Sequence, residues 1–91
     1  MKVVINKSYG GFDLSDAALK RYNELDGYDH KKTRNIARDD VYLIQVVEEL
    51  GDKSWGHYAE LKIVEVPDEV DWVIEEYDGR EWVAEVHRTW R

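Results

Sequence analysis

Two features of this chain have residue types and spacing suited to chemistry, and both suit the holding of an anion. The first is Ser8-Tyr9-Gly10-Gly11-Phe12, a glycine pair between a β-branched run and a helical pattern. A strand led through glycines toward a helix N-terminus can present backbone N–H groups to a phosphate or carboxylate. The flanking rings of Tyr9 and Phe12 can stack on a base. The second is Tyr28-Asp-His-Lys-Lys-Thr-Arg34 through Arg38, with one imidazole and four cations. Arg34 and Arg38 carry the planar fork that grips phosphate bidentately. If this segment folds over the glycine turn, the two make an anion pocket with aromatic walls. The ending His87-Arg-Thr-Trp90 adds an imidazole, a guanidinium and an indole, so His87, Arg88 and Trp90 join the candidate ligand-binding set.

No catalytic pattern accompanies these residues. The glycine pair lacks both the Gly-x-Gly-x-x-Gly spacing of dinucleotide-binding folds and the Walker phosphate loop. No Gly-x-Ser-x-Gly elbow occurs. His30, His57 and His87 are too far apart in sequence for a local metal motif, and there is no cysteine, so no metal ligand set and no cofactor is expected. The acidic pairs Asp39/Asp40, Glu48/Glu49 and Glu75/Glu76 read as helix caps and solvated faces rather than general acids. The expectation is a binding protein, not an enzyme.

The elements that must position these residues follow from local pattern. Residues 2–6 read as a strand by β-branched content. Ser15 caps a first helix whose face is Ala18, Leu19, Tyr22 and Leu25, with Leu14 and Leu19 as a hydrophobic staple and Gly27 as the stop. Asp39 or Asp40 caps a second helix, with Leu43, Val46, Val47 and Leu50 on one stripe and Gly51 at its end. Residues 26–38 read as a loop. Residues 59–66 alternate as a strand ended by Pro67. Val70 to Val86 form a hairpin about Asp78-Gly79. A two-residue turn there would set Glu76 against Glu81 and Trp72 against Glu85. The sequence therefore favours a three-residue turn, Tyr77-Asp78-Gly79, pairing Ile74 with Trp82 and Trp72 with Ala84. That register puts Val70, Trp72, Ile74, Trp82, Ala84 and Val86 on one apolar face, and Val73, Glu75, Glu81, Val83 and Glu85 on a solvated one. The expected fold is α+β, a small single domain over residues 1–91. Two helices pack on a mostly antiparallel sheet of about four strands with a C-terminal hairpin.

Composition narrows the partners. At 91 residues and 43% hydrophobic, with four Trp and six Tyr, the chain can build one modest core. No apolar run is long enough to span a membrane, no signal peptide is evident, and the lack of cysteine fits a reducing cytoplasm. The net charge of −7 is unevenly spread. Residues 1–27 are neutral overall, residues 28–38 carry +3, and residues 39–91 carry −10. Such an acidic body argues against DNA or RNA as a general ligand, whereas a local basic patch suits one compact anion. A chain this short can also complete a pocket between copies in a homo-oligomer.

Several stretches resemble a known group. Val3-Val-Ile-Asn-Lys-Ser-Tyr-Gly-Gly-Phe-Asp-Leu-Ser15, Leu43-Ile-Gln-Val-Val-Glu-Glu-Leu-Gly51, Leu61-Lys-Ile-Val-Glu-Val-Pro-Asp68, Trp72-Val-Ile-Glu-Glu-Tyr-Asp-Gly-Arg-Glu-Trp-Val-Ala84 and the His87-Arg-Thr-Trp90 ending are similar to a small protein family of bacteriophages and prophages with no assigned function. The resemblance covers most of the chain and is weakest across residues 23–38. It implies a protein acting in the cytoplasm of an infected bacterium, where small accessory phage proteins often counter host defence. Two expectations follow. One is sequestration of a phosphate-bearing nucleotide immune signal, such as a cyclic ADP-ribose-like molecule or a cyclic oligonucleotide. The other is an acidic inhibitor that blocks a host protein, through carboxylates such as Glu75, Glu81 and Glu85 that imitate nucleic acid.

Overall fold

The computed structural model describes residues 1–30 and 36–86. The chain order is β1 (Lys2–Asn6), α1 (Asp16–Asp26), α2 (Val41–Leu50), a 3₁₀ turn (Gly51–Ser54), β2 (Leu61–Glu65), β3 (Trp72–Tyr77) and β4 (Arg80–Glu85). The fold is α+β, with two helices and four antiparallel strands ending in the hairpin. The four strands divide into two two-stranded sheets, β1–β2 and β3–β4.

The β1–β2 sheet lies between two layers, and its alternation assigns each side. Val4, Leu61 and Ile63 face the helices, joining Leu14, Ala18, Tyr22, Ile36, Leu43, Val46 and Val47 in one core. Val3, Ile5 and Val64 face the hairpin and pack with Val66, Val70, Trp72, Ile74 and Val83 in a second core. This explains why β1 is apolar at three successive positions: a strand covered on both faces has no solvent side to leave polar. The outer edge of β1 is also sealed. The Val4 amide donates to the Arg38 carbonyl at 2.8 Å, and the Asn6 amide donates to Glu81 Oε1 at 2.8 Å. An edge strand is thereby closed without a third strand.

Both helices start and stop on their local signals. Ser15 Oγ accepts from the Ala18 amide at 3.1 Å, and Gly27 ends α1 in the left-handed conformation at φ 77°. Asp40, rather than Asp39, caps α2, accepting from the Tyr42 and Leu43 amides at 2.8 and 3.2 Å. Its second oxygen accepts from the Tyr22 hydroxyl at 3.0 Å, so one carboxylate joins the two helices. Burial, and then this hydrogen bond to Asp40, push the Tyr22 phenol well above its ordinary pKa.

The hairpin register differs from the expected one. Tyr77 pairs with Arg80, Glu76 with Glu81, Ile74 with Val83 and Trp72 with Glu85. The turn has two residues, with Asp78 at φ 51° and Gly79 at φ 90°. Two positive-φ residues give the mirror-image turn whose twist suits a hairpin. The like-charge objection to this register fails because Glu81 is not solvated. It is 7% exposed, and its carboxylate is bound by both terminal nitrogens of Arg38. Ile74, Glu81 and Val83 therefore share the inner face with Trp72. Trp82 and Ala84, expected inside, lie on the opposite face with Val73. Trp82 and Val86 are each 43% exposed.

Candidate ligand groove

The glycine turn has a clear role in packing. Gly10 lies so close to Tyr58 that any side chain there would collide with its Cβ and carbonyl. Ser8 Oγ donates to that same Tyr58 carbonyl and accepts from the Gly10 amide at 3.3 Å. The hairpin tip seats on the turn from the other side: a Cβ at Gly79 would fall 2.6 Å from the Tyr9 carbonyl oxygen and 2.7 Å from the Gly11 nitrogen. Beneath the tip, Asn6 is fully buried. Its side-chain amide donates to the Ser8 and Gly79 carbonyls, each at 2.8 Å, and its Oδ1 accepts from the Glu60 amide at 2.8 Å. The turn does not run straight into α1, because Leu14 first forms a bridge with Trp55.

Arg38 reaches this junction, but its guanidinium points at protein. It pairs with Glu81 and lies 3.7 Å from the centre of the Phe12 ring. Arg38 and Phe12 thus form a cation–π contact that fixes the Glu81 carboxylate beside β1. Of the other expected site residues, Arg34, His87, Arg88 and Trp90 lie outside the described residues.

Tyr9 does face a cavity. A groove of about 390 Å³ is lined by Lys7, Tyr9, Tyr77, Arg80, Glu81 and Trp82. Tyr9 is 60% exposed and Tyr77 72% exposed, so three aromatic side chains and two cations surround an accessible space. Glu81 at its base is already neutralised by Arg38, which leaves Lys7 and Arg80 to set the local charge. A second cavity of about 420 Å³ adjoins it and shares Lys7 and Trp82; its walls include Val64, Val66, Val70 and Trp72. Lys7, which has no local signal, and Tyr77, Arg80 and Trp82 of the hairpin are not among the residues expected from the sequence; for the hairpin three the signal is the register. The two-residue turn makes Tyr77 and Arg80 cross-strand partners and puts Trp82 on their face.

The histidine neighbourhood at the end of α1 is built differently. His30 Nε2 lies 2.8 Å from Asp26 Oδ2, and Asn23 exchanges hydrogen bonds with the His30 backbone at 3.0 Å each. Among the described residues no three His, Cys, Asp or Glu side chains converge as a metal site. Nor is any described helix long and apolar enough to cross a membrane. Comparison with protein-family models, curated proteins and solved structures found no match to this chain.

Proposed function

We propose that this protein is a non-catalytic binder of a phosphate-bearing nucleotide, held in the groove of Lys7, Tyr9, Tyr77, Arg80 and Trp82. The observation that carries the reading is the meeting of two cations with three aromatic side chains around one accessible cavity. Base stacking on aromatic rings and charge-assisted hydrogen bonds to phosphate are complementary, and neither requires a catalytic group. The groove volume lies in the range of ordinary small-ligand sites, roughly 300–1,000 Å³. The resemblance to small phage proteins supplies a setting, in which binding withdraws a nucleotide immune signal from a host defence system. This reading moves the ligand from the glycine turn itself to the groove beside it. Among the described residues, Tyr9 is the one expected ligand-binding residue that lines the groove.

Calorimetry against adenine and guanine nucleotides, ADP-ribose derivatives and cyclic oligonucleotides tests the proposal. At least one should bind with micromolar affinity or better and be recovered chemically unchanged. Trp82→Ala should weaken that binding roughly tenfold, as the loss of a stacking surface worth about 1–3 kcal/mol predicts. Lys7→Ala should weaken it comparably, through a charge-assisted bond of about 1.5–3 kcal/mol. No heat with any member of the panel would refute the reading.

A second reading is favoured by the hairpin's exposed Glu75, Glu76 and Glu85. These carboxylates suit a basic surface on a host protein. Glu81, expected among them, is buried and paired, so charge reversal at Glu75, Glu76 and Glu85 is the informative test of that interaction.

A further inference from the structure

The cation–aromatic groove does not end at Trp82. The adjoining cavity is comparable in size, shares Lys7 and Trp82 with it, and has an apolar wall of Val64, Val66, Val70 and Trp72. Trp72 is held in place, since its indole N–H donates to Met1 Sδ at 3.2 Å. Among the described residues, the only cation lining this second compartment is the shared Lys7. Its other charged lining residues are Glu65 and Glu85. With Glu81 already bound by Arg38, the remaining charges among the described lining residues are ordered along the groove: a guanidinium at the aromatic end, an ammonium at the junction, carboxylates at the apolar end.

We infer that the ligand is a dinucleotide, with its linking phosphate at Lys7 and one nucleoside in each compartment. One base stacks among Tyr9, Tyr77 and Trp82. The other enters the apolar compartment, where Glu65 and Glu85 disfavour a second phosphate and can accept hydrogen bonds from exocyclic amino groups. Each compartment is large enough for one nucleoside, and a mononucleotide would leave the apolar one empty. This inference rests on the proposed nucleotide reading and adds the ligand's length and the position of its charge.

The experiment compares adenosine monophosphate with the dinucleoside monophosphate adenylyl-(3′→5′)-adenosine, by calorimetry on the full chain. The expected result is at least tenfold tighter binding of the dinucleotide. Glu85→Ala, on an exposed side chain, should reduce that advantage severalfold. Val70→Glu should abolish the advantage, with the thermal midpoint confirming that the variant is folded. Equal affinity of the two compounds for the wild-type protein would overturn the dinucleotide inference and leave the nucleotide groove intact. Undiminished dinucleotide preference in both variants would also overturn it. Binding of neither compound, nor of any other nucleotide in the wider panel, would remove the groove reading and this inference together.

Discussion

At the scale of single residues, Glu81 is the most constrained charge among the described residues. It is buried on the inner face of β4, takes both terminal nitrogens of Arg38, and accepts the Asn6 amide. Removing one partner of a buried pair leaves the other uncompensated, which costs more than the pair contributes. Because the Arg38 side chain is 22% exposed, water relieves part of that cost. Glu81→Gln should therefore destabilise the protein by about 2 kcal/mol in urea denaturation. A double-mutant cycle with Arg38→Met should show coupling above about 0.5 kcal/mol. Tyr22 gives a prediction in pH. Its phenol is raised in the folded state by burial and by Asp40. Its contribution is then complete below the ordinary tyrosine pKa of about 10 and is lost as pH climbs above that value. Thermal midpoints should fall steeply between about pH 10 and 12 in the wild type. Tyr22→Phe should be less stable at neutral pH, by about 1 kcal/mol for the lost hydrogen bond, and its midpoints should fall less at high pH.

At the scale of elements, what could be read in the sequence was what local chemistry determines. Ser15, Gly27, Asp40 and Gly51 bound the helices because caps and stops act within a turn of the backbone. Residues 2–6 and the later strand needed only their own side chains. The hairpin register is not legible in the sequence for a physical reason: Glu81 has the look of a solvated carboxylate because its counterion Arg38 stands 43 residues earlier in the chain. Most of the groove depends on the same register, since it sets the face that carries Tyr77, Arg80 and Trp82. Tyr9 was legible because it adjoins the glycine turn, whereas Lys7 carried no local signal. The turn itself makes a prediction. Gly79 combines φ 90° with close approach to the Tyr9 and Gly11 backbone. Gly79→Ala should thus cost about 1–3 kcal/mol of stability, read by thermal denaturation, and more than the same change at Gly27, which has open space around it.

At the scale of the whole molecule, a −7 chain presents a small cationic groove. The acidic body opposes long polyanions, while Lys7 and Arg80 act on a ligand within a Debye length, about 10 Å at 0.1 M salt. Raising salt from 0.05 to 0.5 M should weaken nucleotide binding severalfold in calorimetry, and duplex DNA should give no measurable binding at either concentration.

The sealed edge of β1 has a further consequence for motion. Two neighbouring amides on one strand are tied to different parts of the fold: Val4 to the segment before α2, and Asn6 to a side chain of the hairpin. If the hairpin lifts from the sheet while the helical layer stays in place, the Asn6 proton is released to solvent and the Val4 proton is not. Their amide hydrogen-exchange rates then separate detachment of the hairpin from global unfolding, at two positions with only Ile5 between them. Opening of the hairpin would also part Tyr77, Arg80 and Trp82 from Lys7 and Tyr9. Asn6 exchange thus reports on the integrity of the groove without any ligand present.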